Sequence, residues 1–291
     1  MSFSGFIVQL LNGLAGASSL FLVAAGLSLI FGMLMVVNFA HGAFFMVGAY
    51  VGLFVLMLGG DFWIALGVVP LAVGLIGLVV ERFLVRPLYG RGIDYPLLLT
   101  FGLGYVMIEL VRIAFGKTGY PFDTPELLQG AANIGIGYFP LYRLFVLGAA
   151  VAVLLGLWLF LEKTSFGLII RAGARDPQIV RVLGVDVSRV WLVVFGIGTG
   201  IAGLAGVLAA PLQGVIPEMG STILAEAFVV TVVGGMGSIG GAVIAGLLVG
   251  VVVSMTSLFA PEMAKVSIFA LMAIVLLVRP QGFFGRAGLM S

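Results

Sequence analysis

Phe6-Ile-Val-Gln-Leu-Leu-Asn-Gly-Leu-Ala-Gly-Ala-Ser-Ser-Leu-Phe-Leu-Val-Ala-Ala-Gly-Leu-Ser-Leu-Ile-Phe31 contains no charged residue. A helix rises about 1.5 Å per residue, so about 20 apolar residues cross the hydrocarbon core of a bilayer. This stretch is long enough, and it is not alone. Further apolar stretches run over Met33–Leu58, Phe62–Val80, Tyr95–Gly116, Leu144–Leu161, Val190–Leu212, Thr222–Met236, Ile239–Phe259 and Ala264–Val278. The second and seventh are interrupted by polar residues or glycines, and the seventh and ninth are short. The expected fold is an all-α integral membrane protein, a polytopic bundle of eight or nine segments, some broken or re-entrant. Composition agrees: 62% of residues are hydrophobic and 9% charged, against roughly 25% charged in soluble domains. So much apolar surface exceeds what an interior of this size can hide, and the excess faces lipid.

The net charge of +2 offers no basic face for nucleic acid. The absence of cysteine excludes disulfides, thiolate metal sites and cysteine nucleophiles. A single histidine, His41, excludes a His-rich metal site, and no catalytic Ser-His-Asp set or carboxylate pair suggests itself. Met1–Gln9 carries no basic n-region, so a cleaved signal peptide is not expected. Gly116-Lys117-Thr118 ends like a phosphate-binding loop, but Val111 stands where that loop needs glycine. Gly198, Gly200 and Gly203 have dinucleotide-loop spacing inside an apolar helix with no preceding strand, and read as helix packing.

Basic residues gather in three connections. Arg82, Arg86 and Arg91 form one group; Lys163, Arg171, Arg175, Arg181 and Arg189 form a second; Arg279 and Arg286 form a third. If every stretch crosses, these lie on one side, which the positive-inside rule makes cytoplasmic. The N-terminus is then outside and the C-terminus inside. Residues 1–291 read as one membrane domain, with a long external connection, Lys117–Arg143, and a cytoplasmic segment at about 162–189. In that segment Ile169, Ile170, Ile179, Val180, Leu183 and Val185 alternate with charged residues, as in one or two amphipathic helices broken near Pro177 and stopped at Gly184.

Val233-Gly-Gly-Met-Gly-Ser-Ile-Gly-Gly241 holds too many glycines for a stable helix, so a break or hairpin is expected there. Asn38-Phe-Ala-His-Gly42 is its loose counterpart in the first half, and paired interruptions of this kind point to a transport path built on an internal repeat. Asn38, His41, Gly42, Gly234, Gly235, Gly237 and Ser238 are therefore the candidate path residues, with the two breaks expected to face each other. The competing reading of Asn38 and His41 is a buried, hydrogen-bonded pair that fixes the break. Glu109 and Arg112 are spaced to pair on one helix face. Glu226 either lines a vestibule or reaches to solvent. Few ionisable groups lie inside the spans, so a secondary carrier or proton pump has little to work with and energy is expected from another subunit.

Ile30-Phe-Gly-Met-Leu-Met-Val-Val-Asn-Phe-Ala-His-Gly42 with Gly48-Ala-Tyr50 resembles the start of the bacterial branched-chain amino acid ABC permeases of the LivH type. Glu81-Arg82, Arg86-Pro87-Leu88, Phe166-Gly167, Arg171-Ala-Gly-Ala174, Asp176, Gly184-Val185, Gly203-Leu-Ala-Gly206 and Val233-Gly-Gly-Met-Gly-Ser238 continue the resemblance along nearly the whole chain. It implies an importer in the bacterial inner membrane. This permease would work with a second homologous permease, two cytoplasmic ATPases and an external substrate-binding protein. It implies no catalytic residue and no cofactor here, ATP and Mg belonging to the ATPases. It places the coupling contact on Phe166, Arg171, Ala174, Arg175, Asp176, Leu183 and Gly184. Urea and short-chain amide importers use similar permeases and stand as the alternative substrate class, and a self-sufficient carrier or channel as the alternative mechanism.

Overall fold

The structure, a computed structural model, describes residues 3–135 and 137–285; Arg286 of the third basic group lies outside them. Its helices are α1 (Phe3–Leu34), α2 (His41–Met57), α3 (Phe62–Val80), α4 (Asp94–Phe115), α5 (Leu141–Lys163), α6 (Ser165–Arg175), α7 (Pro177–Val182), α8 (Val187–Gln213), α9 (Met219–Gly234), α10 (Ile239–Phe259) and α11 (Ala264–Val278). An antiparallel hairpin, β1 (Ala131–Asn133) and β2 (Tyr138–Pro140), lies between α4 and α5. Among the described residues seven helices are long and apolar enough to cross a membrane, and α2 and α9 are shorter apolar helices. Each expected stretch has its helix, and α10 and α11 have the expected bounds.

The second stretch differs. Met33 and Leu34 continue α1, and α2 starts only at His41. Met35 has φ 52, a left-handed conformation that a side chain as large as methionine rarely adopts. The chain leaves the helix there and stays unwound to Ala40.

Depth in the bundle varies sharply between helices. The most apolar window of α1 is 89% buried and that of α8 is 78%, whereas α4 and α11 bury only 17% and 11%. So α1 and α8 form the centre, and α4, α5 and α11 keep broad faces for lipid or partners. Glycine makes this centre possible. A Cβ at Gly206 of α8 would run into the Phe45 carbonyl of α2, and one at Gly48 of α2 into the Gly203 carbonyl. Contacts of Gly13 with Gly250 and of Gly32 with Gly237 set α1 antiparallel to α10.

A Gly206→Ala substitution is therefore expected to separate α2 from α8. Overpacking of this kind costs about 1–3 kcal/mol, and here the obstacle is backbone, which cannot swing aside. Gly148→Ala on α5 meets nothing within 4 Å and serves as the control. In thermal unfolding of the detergent-solubilised protein, Gly206→Ala should lower the midpoint clearly and Gly148→Ala should not.

Candidate functional site

Residues 35–40 lack the regular helical ladder, and backbone polar groups at membrane depth need other partners. Asn38 provides the first: its Oδ1 accepts from the Ala40 N–H at 3.1 Å, and its carbonyl accepts from the His41 N–H at 3.1 Å. Thr100, buried on α4, provides the next. Its Oγ1 accepts from the Phe39 N–H at 3.1 Å and stands 3.3 Å from the Val37 carbonyl and 3.1 Å from that of Leu97, to either of which it can donate. One hydroxyl thus fastens α4 to the break between α1 and α2.

The break aims Phe39 at a cavity. Its ring meets Phe101 of α4 edge-on at 6.2 Å and Phe228 of α9 at 6.0 Å. A space of about 400 Å³ opens beside these rings, bounded by α2, α4 and α9 and lined also by Ala43, Gly104, Leu224 and Ala225. Arg112 and Glu218 line it too. Arg112 donates to Glu109 and, at 2.6 Å, to Glu218, which precedes α9. All three charges are partly solvated, so the bridge contributes little stability; what it does is hold the start of α9 against the end of α4. The Arg112 guanidinium keeps the Glu218 carboxyl below the usual carboxylate range. An apolar chamber with aromatic rings and a charged cluster suits a solute with an apolar side chain and a charged head.

Of the candidate path residues, Asn38, His41 and Gly42 adjoin the elements that line this chamber, whereas Gly234, Gly235, Gly237 and Ser238 lie at the far end of α9. Asn38 and His41 are both fully buried. The His41 ring faces α1, where a Cβ on Gly26 would stand 3.0 Å from its Nε2. The two residues are joined by the backbone bond already described rather than by their side chains. Gly42 lets α2 touch α9: a Cβ there would collide with the Gly220 carbonyl. Gly234 packs on Gly241, Gly235 (φ 97) on Gly285, and Gly237 (φ 83) on Gly32 of α1. The Ser238 hydroxyl caps α10 by accepting from the Gly241 N–H at 3.0 Å. The two glycine breaks therefore do not face each other. Gly42 meets the first turn of α9 and Gly234 is its last residue, and a 16-residue helix is about 24 Å long. Phe39, Thr100, Phe101, Glu218 and Phe228 were not singled out in the sequence. For Thr100 a signal existed: it is the single serine or threonine of the Tyr95–Gly116 stretch.

At the end of the bundle that carries Arg82, Arg86 and Arg91, the expected amphipathic segment forms two helices broken at Pro177. Thr164 caps α6, and Asp176 caps α7 by accepting from the Gln178 and Ile179 N–H groups at 2.9 and 3.0 Å. Gly184 (φ 83) turns the chain towards α8. Phe166 packs on Phe160, Arg171 pairs with Glu162, and Ala174 and Arg175 border a cleft shared with Met33 and Gly237. Ile179, Val182 and Leu183 point outward, Leu183 with 76% of its surface exposed. Behind them sits a fastened cluster. Glu81, fully buried, accepts from Arg86 at 3.2 and 2.8 Å and from the Tyr89 hydroxyl at 3.0 Å. Arg86 also donates to the Ser188 carbonyl at 3.0 Å, and the Tyr89 ring stands edge-on to Trp191 at 4.9 Å. Arg181 of α7 lies 5.5 Å over the Trp191 ring. Burial and the Glu81 carboxylate push the Tyr89 phenol above its ordinary value, so it stays a donor. Arg181 thus ties α7 to α8, and Glu81, Arg86 and Tyr89 tie the end of α3 to α8.

Replacing Thr100 by valine keeps the shape and removes the hydroxyl, leaving the Phe39 N–H unpartnered. An orphaned buried donor costs about 1–3 kcal/mol. Thr100→Val is expected to lower the thermal midpoint, and Thr100→Ser to restore it. Equal midpoints for Val and Ser would show that the break does not depend on this bond.

Comparison with known proteins places this architecture. The model of the family described as "Branched-chain amino acid transport system / permease component" matches residues 9–276. The high-affinity branched-chain amino acid transport system permease protein BraD of Pseudomonas aeruginosa is 31% identical, with 97% of this chain and 96% of that protein covered. The corresponding protein LivH of Escherichia coli K12 is 30% identical, also covering 97% of this chain and 96% of its own length. Among solved structures, PsaBC from Streptococcus pneumoniae in complex with Fab aligns with a TM-score of 0.50 and 16% identity, over 92% of this chain and 89% of that one, a likeness of fold alone. With residues 9–276 matched and nearly the full length of both relatives covered, the chain belongs to the family of branched-chain amino acid transport system permease components.

Proposed function

We propose that this chain is one of two permeases in an ATP-driven importer, and that branched-chain amino acids pass along the chamber between α2, α4 and α9. The observation that carries the reading is that chamber, apolar and aromatic, with Arg112 and Glu218 among its lining residues. An aliphatic side chain suits the Phe39–Phe101–Phe228 rings, and the charged cluster suits the head group. The exposed faces of α4 and α9 leave the chamber to be completed by the second permease. The names of the relatives and the family match support the substrate class.

The charge pattern supports a bacterial inner-membrane orientation with the N-terminus outside and the basic end cytoplasmic. On that side α6 and α7, with Leu183 exposed, offer an apolar contact to an ATPase groove. Phe166, Arg171, Ala174, Arg175, Asp176 and Gly184 shape and orient that segment. ATP and Mg are bound by the two ATPases, and this chain holds no cofactor. The connection with the β-hairpin, at the other end, is the docking face for an external binding protein.

The test is uptake by proteoliposomes holding both permeases, the ATPases and the binding protein. ATP-dependent leucine uptake is expected. Ala225→Trp, which fills the chamber from α9, should reduce it about tenfold or more, a barrier or binding change of about 1.4 kcal/mol. Urea uptake in place of leucine would overturn the substrate class. Solute movement through this chain alone, without ATP, would overturn the mechanism.

A further inference from the structure

A second cavity, of about 500 Å³, adjoins α9 between α1, α10 and α11. Leu224, Ala225 and Phe228 face the first chamber, whereas Ile223 and Glu226 face this one, so α9 is the wall between them. Leu20, Val249, Val253 and Ile268 give it an aliphatic lining.

Arg143 of α5 borders it, and so do two unlike charges, Glu226 of α9, half-buried, and Lys265 of α11, exposed. Among the described residues neither has an ion-pair or side-chain hydrogen-bond partner, although each lies within the other's field. Several of the other polar groups around the cavity have partners: Arg143 donates to Asn12, the Ser254 hydroxyl and Gln9 amide bond each other's backbone carbonyls, and Ser257 donates to the Val253 carbonyl. A partly desolvated carboxylate is costly without a donor, and at membrane depth such groups pair or bind. Held apart across a space, this acid and this ammonium fit a molecule that carries both complementary charges.

We propose that this cavity binds a zwitterion, its ammonium on Glu226, its anionic group on Lys265 and its aliphatic part against Leu20, Val253 and Ile268. Two sources share that chemistry, a branched-chain α-amino acid and a phosphatidylethanolamine headgroup. The first rests on the function proposed above; the second does not.

The assembled transporter, in lipid nanodiscs and without binding protein, distinguishes them. Radiolabelled leucine binding is measured in discs of phosphatidylcholine alone, and retained phosphatidylethanolamine is measured after purification from mixed lipid. The parent complex is expected to hold one of the two, with about tenfold less retained by Glu226→Gln and by Lys265→Met, equivalent to about 1.4 kcal/mol each. The exchange Glu226→Lys with Lys265→Glu should recover much of the loss, which a folding defect would not. Leucine held in phosphatidylcholine discs assigns the site to amino acid; phosphatidylethanolamine held with no leucine binding assigns it to lipid. Retention of neither, or equal retention by the single variants, overturns the site. ATP-dependent leucine uptake by the same parent preparation reports separately on the proposed function.

Discussion

Between helices in lipid there is no water to expel, and cohesion comes from how closely backbones approach and how well their polar groups are met. In this chain that constraint falls on α8. Its glycines meet the backbone of α2 at Phe45 and Gly48, of α3 at Pro70 and of α1 at Gly26, and take in the Val73, Leu78 and Ile30 side chains beside them. Four helices are thereby drawn into one frame. The remaining helices are arranged around it with more of their surface free.

The frame explains the unwound break. Because α1 is central, and the His41 ring rests on its backbone at Gly26, α2 cannot begin where α1 ends. The chain must turn back, and Met35, Asn38 and Thr100 together let it do so with its backbone bonded. The two short helices follow from the same geometry. With Gly42 against Gly220, α2 and α9 meet near their starts and leave a chamber lined by Phe39, Phe101 and Phe228.

Much of this was legible in the sequence, for a physical reason: hydropathy over 20 residues reports directly on which segments lipid will accept. The bounds of α10 and α11 were read to the residue, and both interruptions were visible as polar or glycine-rich breaks. The start of α2 was not, because a left-handed residue such as Met35 leaves hydropathy unchanged. Nor were the partners of the breaks. Polarity marked Asn38 and His41 as special but does not say whether a side chain faces a cavity or a neighbouring helix. The Glu109–Arg112 pair was readable as a local spacing, whereas Glu218 joins it from a distant loop and has no local trace. The amphipathic α6–α7 segment was clear from its alternation, and its fastening through Arg181, Trp191, Tyr89 and Glu81 depends on side chains that only the fold brings together.

From this packing we infer that α1 and α8 form a fixed frame and that the chamber changes shape as α9 and α4 move against each other. The natural absence of cysteine makes the measurement direct. Spin labels on cysteines at Gly102 of α4 and Ala225 of α9 report the chamber, and labels at Gly16 of α1 and Val193 of α8 report the frame. Distances are read by pulsed electron resonance in the assembled transporter, nucleotide-free and trapped with ATP. A change of about 5 Å or more is expected across the chamber, the scale of a helix-register movement, with the frame distance unchanged. A frame distance that shifts as much as the chamber distance, or a chamber distance that never shifts, would contradict it.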